Sequence, residues 1–102
     1  MDQSRRPQEY EAVCALFGAL AAPVRAAIVH ELTDGSRSVN ELVVALGVSQ
    51  PLISQHLKVL RAASLVSSER RGHEVMNSLT DEHATHIFLD AWRHHIEQDL
   101  SV

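Results

Sequence analysis

The sequence predicts a mostly α-helical chain carrying one β-hairpin. Three features carry that expectation. Apolar residues recur at three- and four-residue spacing over most of the 102 residues. A Ser38-Val39-Asn40-Glu41 capping signature and the Gly47 turn mark two helices joined closely in sequence. After Leu65 the helical period gives way to two strand-like runs about Arg71-Gly72.

Residues 1–7 are polar, with Arg5, Arg6 and Pro7, and are expected to form a frayed arm. From Gln8 to about Leu20, Tyr10, Val13, Phe17 and Leu20 make a helical stripe. Cys14 lies beside it and is expected as a small buried hydrophobe. Ala21-Ala22-Pro23 breaks the run. Pro23 suits the first turn of a second helix whose stripe is Val24, Ile28 and Leu32, ended by Asp34-Gly35. His30 falls off that stripe and is expected in solvent. His30-Glu31 does not open an HExxH zinc-protease motif, because Asp34 stands where the second histidine is required.

Ser38 can cap a third helix while Glu41 reaches back to it, with Val39, Leu42, Val43 and Leu46 buried. Gly47 gives a tight turn, Val48 packs inward, and Ser49 is expected to cap a helix running to about Ala62. Residues 38–62 therefore have the helix-turn-helix layout. On the wheel of the second of these helices, Leu52, Ile53, Leu57, Val59 and Leu60 take the inner arc, with His56 expected as a packed, hydrogen-bonded residue. Gln50, Ser54, Gln55, Lys58 and Arg61 spread over the rest. Amides and hydroxyls flanked by cations suit base edges and phosphates in a major groove, so double-stranded DNA is the expected partner.

Val66–Arg70 reads as a strand, Arg71-Gly72 as a turn, and His73–Leu79 as the return strand, with Val75 and Leu79 on one face. A hairpin over 66–79 behind a helix-turn-helix is a wing. Arg70 and Arg71 near its tip can meet a phosphate or the minor groove, and His73 is expected in solvent.

Thr80 is expected to cap the last helix, over 80–100. Its wheel gathers Leu89, Trp92, Ile96 and Phe88 on one face, and Asp81, His83, His86, Asp90, His94 and Glu97 are read as the other. Solvated faces are normally filled with Lys, Glu and Gln; this one holds metal-ligand types. His83 and His94 lie eleven positions apart, roughly 16 Å along the axis, so one helix cannot bring them to one ion. In an antiparallel pair of such helices about a dyad, Asp81 comes opposite Glu97 and His83 opposite His94. Two imidazoles and two carboxylates suit a tetrahedral Zn(II). His86 and Asp90 also meet across the seam, as outer support. A histidine-rich but metal-free dimer face fits the same residues.

The length suits one domain over 1–102, small enough to gain from dimerisation. The single Cys14 excludes an internal disulfide and a multi-thiolate site within one chain. A formal net charge of −4 means that DNA binding must rest on a local basic patch. No apolar run approaches the ~20 residues of a membrane span, and MDQSRRPQEY has no signal-peptide apolar segment, so a cytoplasmic protein without a membrane partner is expected. No Ser, Cys or Lys sits in a nucleophile motif, and four protein ligands would close a zinc site. Neither an enzyme nor a small-molecule substrate is expected.

The chain resembles the ArsR/SmtB family of winged-helix metal-responsive repressors from about Ala12 to Glu97. The resemblance rests on LAAPVRAAIVHEL, on SVNELVVALGVSQPLISQHLKVLRAASLV, on the RRGHEV wing, and on DEH followed by HHIE. It implies a winged helix-turn-helix, dimeric through the first and last helices, released from operator DNA when Zn(II) binds. It also implies that Asp81 and His83 of one protomer join His94 and Glu97 of the other. ELVVAL stands where the branch sensing thiophilic metals has Cys-x-Cys, so cadmium, lead or arsenite is not expected. Ala22 replaces the acidic residue often found before Pro-x-Arg. His86 and His95 leave room for a six-coordinate Co(II) or Ni(II) site instead.

Overall fold

The computed structural model describes residues 5–100. A 3₁₀ turn over Pro7–Tyr10 leads into α1 (Glu11–Leu20). Then follow α2 (Pro23–Leu32), β1 (Arg37–Ser38), α3 (Val39–Leu46), α4 (Gln50–Ala62), β2 (Val66–Arg71), β3 (Glu74–Leu79) and α5 (Glu82–Leu100). Of the expected arm, residues 1–4 lie outside the described residues, and Pro7 already belongs to the 3₁₀ turn.

The core is built where α2, α3 and α4 meet. Ile28, Leu42, Ile53, Leu57 and Leu60 are almost wholly removed from solvent, with Val29, Leu32, Leu65, Val66 and Ala84 around them. Ile53, Leu57 and Leu60 recur at helical spacing along one side of α4. Leu52 and Val59, expected in that arc, are instead 40% and 38% exposed. At about 100° per residue they stand roughly 100–120° round the helix from Ile53, past the edge of the buried stripe. Arg25 ties the first helices to α4. Its Nε donates to the Ala19 carbonyl at 2.7 Å, its Nη2 to that of Gly18 at 3.4 Å, and its Nη1 lies 3.4 Å from His56 Nδ1. The guanidinium thereby adds donors to carbonyls at the end of α1. His56 is packed and hydrogen-bonded as expected.

The capping box forms: Glu41 N–H donates to Ser38 Oγ at 3.1 Å and Ser38 N–H to Glu41 Oε1 at 2.9 Å. Gly47 closes α3 in the left-handed region at φ +65°, its N–H bonded to the Val43 carbonyl at 2.9 Å. Ser49 precedes α4 but makes no side-chain cap. Pro51 occupies the first turn and offers no N–H, which removes one of the two donors a cap would use.

The sheet has the antiparallel order β1-β3-β2. Pairing runs from Val66 with Leu79 to Arg71 with Glu74, leaving Gly72-His73 as a two-residue turn. Gly72 has φ +65°, which suits the glycine-first hairpin turn. β1 was not expected, since two residues carry no period. Its pairing of Arg37 with Asn77 and Ser38 with Met76 makes the wing three-stranded at its root.

Two histidine and cysteine expectations fail for a tertiary reason. Cys14 is exposed, because nothing among the described residues covers that side of α1. His30 is not free in solvent: its ring lies edge-on to Trp92 at 4.9 Å and to Phe88 at 5.7 Å between centroids, where α5 crosses α2. No single described helix is long and apolar enough to cross a membrane.

Candidate functional site

Gln50, Ser54, Gln55 and Lys58 stand exposed on α4. Arg61 is exposed too, but its Nη1 lies 3.3 Å from Ser68 Oγ on the wing. That hydroxyl donates to Asn77 Oδ1 at 2.7 Å, and Asn77 Nδ2 donates to the Arg37 carbonyl at 3.1 Å. Asn77 is only 1% exposed. Arg70 and Arg71 lie on the exposed outer part of the hairpin. Arg71 Nη2 approaches Glu69 Oε2 at 3.6 Å, an exposed pair worth about 0–1 kcal/mol, so the cation is only loosely held.

On α5, His83, His86, Asp90, His94 and Glu97 are all exposed. At about 100° per residue they fall within an arc of roughly 80°. Asp81 does not belong to that arc. The wheel puts it roughly 180° from Asp90, and the residue precedes the helix altogether. It is the cap that Thr80 was expected to be. Its Oδ1 accepts the His83 N–H at 2.7 Å and its carbonyl accepts the Thr85 N–H at 3.2 Å. Thr80 is drawn backward instead, its N–H bonding the Leu65 carbonyl at 3.1 Å and its hydroxyl the Ser64 carbonyl.

The His83 N–H holds the Asp81 carboxyl below its ordinary value against an opposing effect of partial burial; the Ala84 N–H and the His83 ring, 3.3 Å away, add to the lowering. The two groups expected to share a ligand role are thus already neighbours, and the carboxylate is ionised. The His83 side chain is 96% exposed. Asp90 pairs with Arg93 at 3.7 Å and His95 with Asp99 at 3.3 Å. Among the described residues of one chain, no three His, Cys, Asp or Glu side chains converge so as to hold a metal.

Apolar side chains also stand uncovered. Tyr10, Val13 and Phe17 of the first helical stretch and Ile87 and Trp92 of α5 are 41–49% exposed. Phe17, Leu20, Ile87, Phe88, Trp92 and His95 line a groove of about 310 Å³ between α1 and α5.

A family model for bacterial regulatory proteins of the arsR family matches residues 22–68, from the start of α2 into the wing. Over 79 residues the chain is 58% identical to the HTH-type transcriptional repressor SmtB of Mycobacterium tuberculosis. That match takes in 78% of this chain and spans only 58% of the relative's length. Against the HTH-type transcriptional regulator NmtR of the same species the identity is 35% over 91 residues, covering 87% of this chain and 76% of that protein. The chain belongs to the ArsR family. Its fold is that of a winged helix-turn-helix: the homodimeric winged helix-turn-helix DNA-binding domain Mb0332 of Mycobacterium bovis superposes with a TM-score of 0.84 at 23% identity, covering 96% of this chain and 93% of the other.

Within this ArsR-family chain, the residues that sequence reasoning passed over are Ser68 and Asn77. A signal was there. Asn77 alternates with Val75 and Leu79, so it is a polar residue on the inward side of a strand.

Proposed function

We propose that this chain is a homodimeric, metal-responsive transcriptional repressor that holds double-stranded operator DNA and leaves it when Zn(II) bridges the two last helices. The observation that carries the reading is that α5 is left incomplete on two faces at once. Its donor arc has no third ligand to offer within one chain, and its apolar side is continuous with an uncovered stripe on α1. A second copy related by a dyad answers both needs.

The donor chemistry fits the ion. Asp81 and His83 of one protomer with His94 and Glu97 of the partner subunit offer two imidazole nitrogens and two carboxylates, the borderline-to-hard set that zinc accepts. The capping bond uses Asp81 Oδ1 and leaves Oδ2 for ligation. His86, Asp90 and His95 are the reserve. If two of them join the set, a six-coordinate Co(II) or Ni(II) becomes the better occupant. When bound, the metal supplies a cross-link between protomers; it does no chemistry, which agrees with the repressor and regulator names of the relatives. Gln50, Ser54, Gln55 and Lys58 would read the major groove, with Arg70 and Arg71 on flanking phosphates. A protein of this kind works in the cytoplasm.

Gel-shift titration tests the reading. Zinc should release wild type from its operator, and His83→Ala or His94→Ala should stay bound at the same zinc concentration. If either variant releases as wild type does, the assigned ligands are wrong. If wild type takes up no zinc in equilibrium dialysis, the protein is a winged-helix regulator indifferent to metal.

A further inference from the structure

Arg61 was expected to touch DNA by itself. The geometry points to a different role: Arg61, Ser68 and Asn77 form a hydrogen-bonded strut that sets the wing against the recognition helix. Arg61 then acts on DNA through the wing, as a positioning residue. The inference rests on the DNA-binding part of the reading above and not on its metal part.

The hairpin is anchored at its root, where Thr80 N–H bonds the Leu65 carbonyl and Val66 is buried. Every residue of β2 after Val66 is exposed. A six-residue strand extends about 20 Å, so Arg70 and Arg71 stand well away from that root. A small rotation there would displace both cations by several ångströms. One buried group resists it. Asn77 lies in the middle of the three-strand row, paired with Ser68 on one side and Arg37 on the other. Its carboxamide spends its oxygen on Ser68 Oγ and one N–H on the Arg37 carbonyl. A buried amide satisfied in this way fixes a single arrangement of its neighbours, since any shift would orphan it in a dry site.

Arg61 extends that fixed point to α4. Among the described residues its bond to Ser68 Oγ is the one hydrogen bond from an α4 side chain to the wing strands. The hydroxyl donates to Asn77 and accepts from the guanidinium, so a single atom couples the recognition helix to the centre of the sheet. Arg70 and Arg71 lie two and three residues beyond it. The strut therefore decides whether helix and wing meet the duplex together.

The experiment compares wild type, Arg61→Ala, Ser68→Ala, the double variant and Ser68→Thr. Each binds random-sequence duplex DNA over a range of salt, and amide hydrogen exchange of β2 and β3 is followed without DNA. Ser68 is exposed, so loss of its hydroxyl removes no apolar packing and, of buried atoms, leaves only Asn77 Oδ1 without its partner. Although it removes no charge, Ser68→Ala should weaken binding roughly three- to tenfold, what one solvent-exposed hydrogen bond carries. It should also flatten the salt dependence, because Arg70 and Arg71 lose their phosphates. Arg61→Ala and the double variant should match it within error, Ser68→Thr should restore wild-type behaviour, and exchange beyond Ser68 should quicken in the alanine variants. If Ser68→Ala binds and exchanges like wild type, or if the two single losses add, Arg61 works on DNA directly and the strut is refuted. Wild type that fails to bind any duplex overturns the DNA reading itself, while the exchange measurement still decides whether the strut holds the wing.

Discussion

A charge placed at Phe17 tests the dimer most directly. Phe17 is 49% exposed, with Tyr10 at 45% and Val13 at 43% on the same stripe, and Ile87 at 46% and Trp92 at 41% across the groove. Half of an aromatic side chain that buries up to ~200 Å² leaves about 100 Å² for a partner to cover, or about 2.5 kcal/mol at ~25 cal/mol per Å². A two-fold interface uses the patch twice, so Phe17→Glu removes about 5 kcal/mol before the cost of desolvating two carboxylates is added. The dimer dissociation constant should rise at least about a thousandfold. Sedimentation equilibrium at micromolar concentration reads this directly. Val44→Glu is the control, since Val44 is 84% exposed on α3, away from the groove, and should sediment as wild type does. A Phe17→Glu protein that remains dimeric alongside wild type refutes the reasoning, as does a wild type that is monomeric.

Ser38→Ala removes the acceptor of the Glu41 N–H at a position only 4% exposed, and urea unfolding should show a loss of about 1–2 kcal/mol. Leu57→Ala opens a cavity in the centre of the core, where Leu57 is 1% exposed, and the same measurement should show about 2–5 kcal/mol. The Asp81 carboxyl has a lowered pKa in the folded chain, so its contribution is complete above the ordinary carboxylate pKa and is lost as pH falls through the lowered value. Asp81→Asn, which keeps a capping oxygen, should therefore lower the thermal midpoint of metal-free protein at neutral pH and leave it unchanged in strong acid. Arg70→Ala should reduce the salt slope of DNA binding by about one, measured by fluorescence anisotropy.

What could be read from the sequence was what short-range bonding decides. Ser38, Glu41 and Gly47 specify their turns through partners within four residues, and the α3-turn-α4 layout came out as expected although Ser49 makes no side-chain cap. The core stripe of α4 was legible in its centre, at Ile53, Leu57 and Leu60, and failed at its edges, where a wheel cannot say how wide the covering neighbour is. His30 was misplaced because α5 returns over α2 from more than fifty residues away, and no period in α2 reports that. Cys14 was misplaced for the opposite reason: the stripe it borders faces outward in the single chain. Thr80 and Asp81 both suit a cap, and the choice between them is made by the Ser64 and Leu65 carbonyls, which claim Thr80. The wheel placed His83, His86, Asp90, His94 and Glu97 on one exposed side of α5, yet Asp81 had to be removed from it.

On the proposed reading, the way α5 is held would let a metal across the dyad govern DNA binding. At its start the helix is tied to the helix-turn-helix body, through Thr80 to the carbonyls that follow α4. Among the described residues the last ring contact of α5 with α2 is Trp92 against His30, and from Arg93 to Asp99 only Ile96 is even half-buried. Asp81 and His83 therefore sit on the anchored start, and His94 and Glu97 on the more exposed half. In the proposed dimer each site would join the anchored start of one helix to the exposed half of the other. That constrains the angle between the two readers without deforming either. A ligand shifts such an equilibrium only by its differential affinity for the two arrangements, and the coupling is reciprocal. With a coupling of about 1–3 kcal/mol, zinc should weaken DNA binding roughly 5–150-fold, and DNA should weaken zinc binding by the same factor. Measuring zinc affinity with and without operator must return the ratio found for operator affinity with and without zinc. Unequal ratios would mean that metal and DNA do not compete for one two-state dimer, and that the α5 sites act by some route other than the angle between protomers.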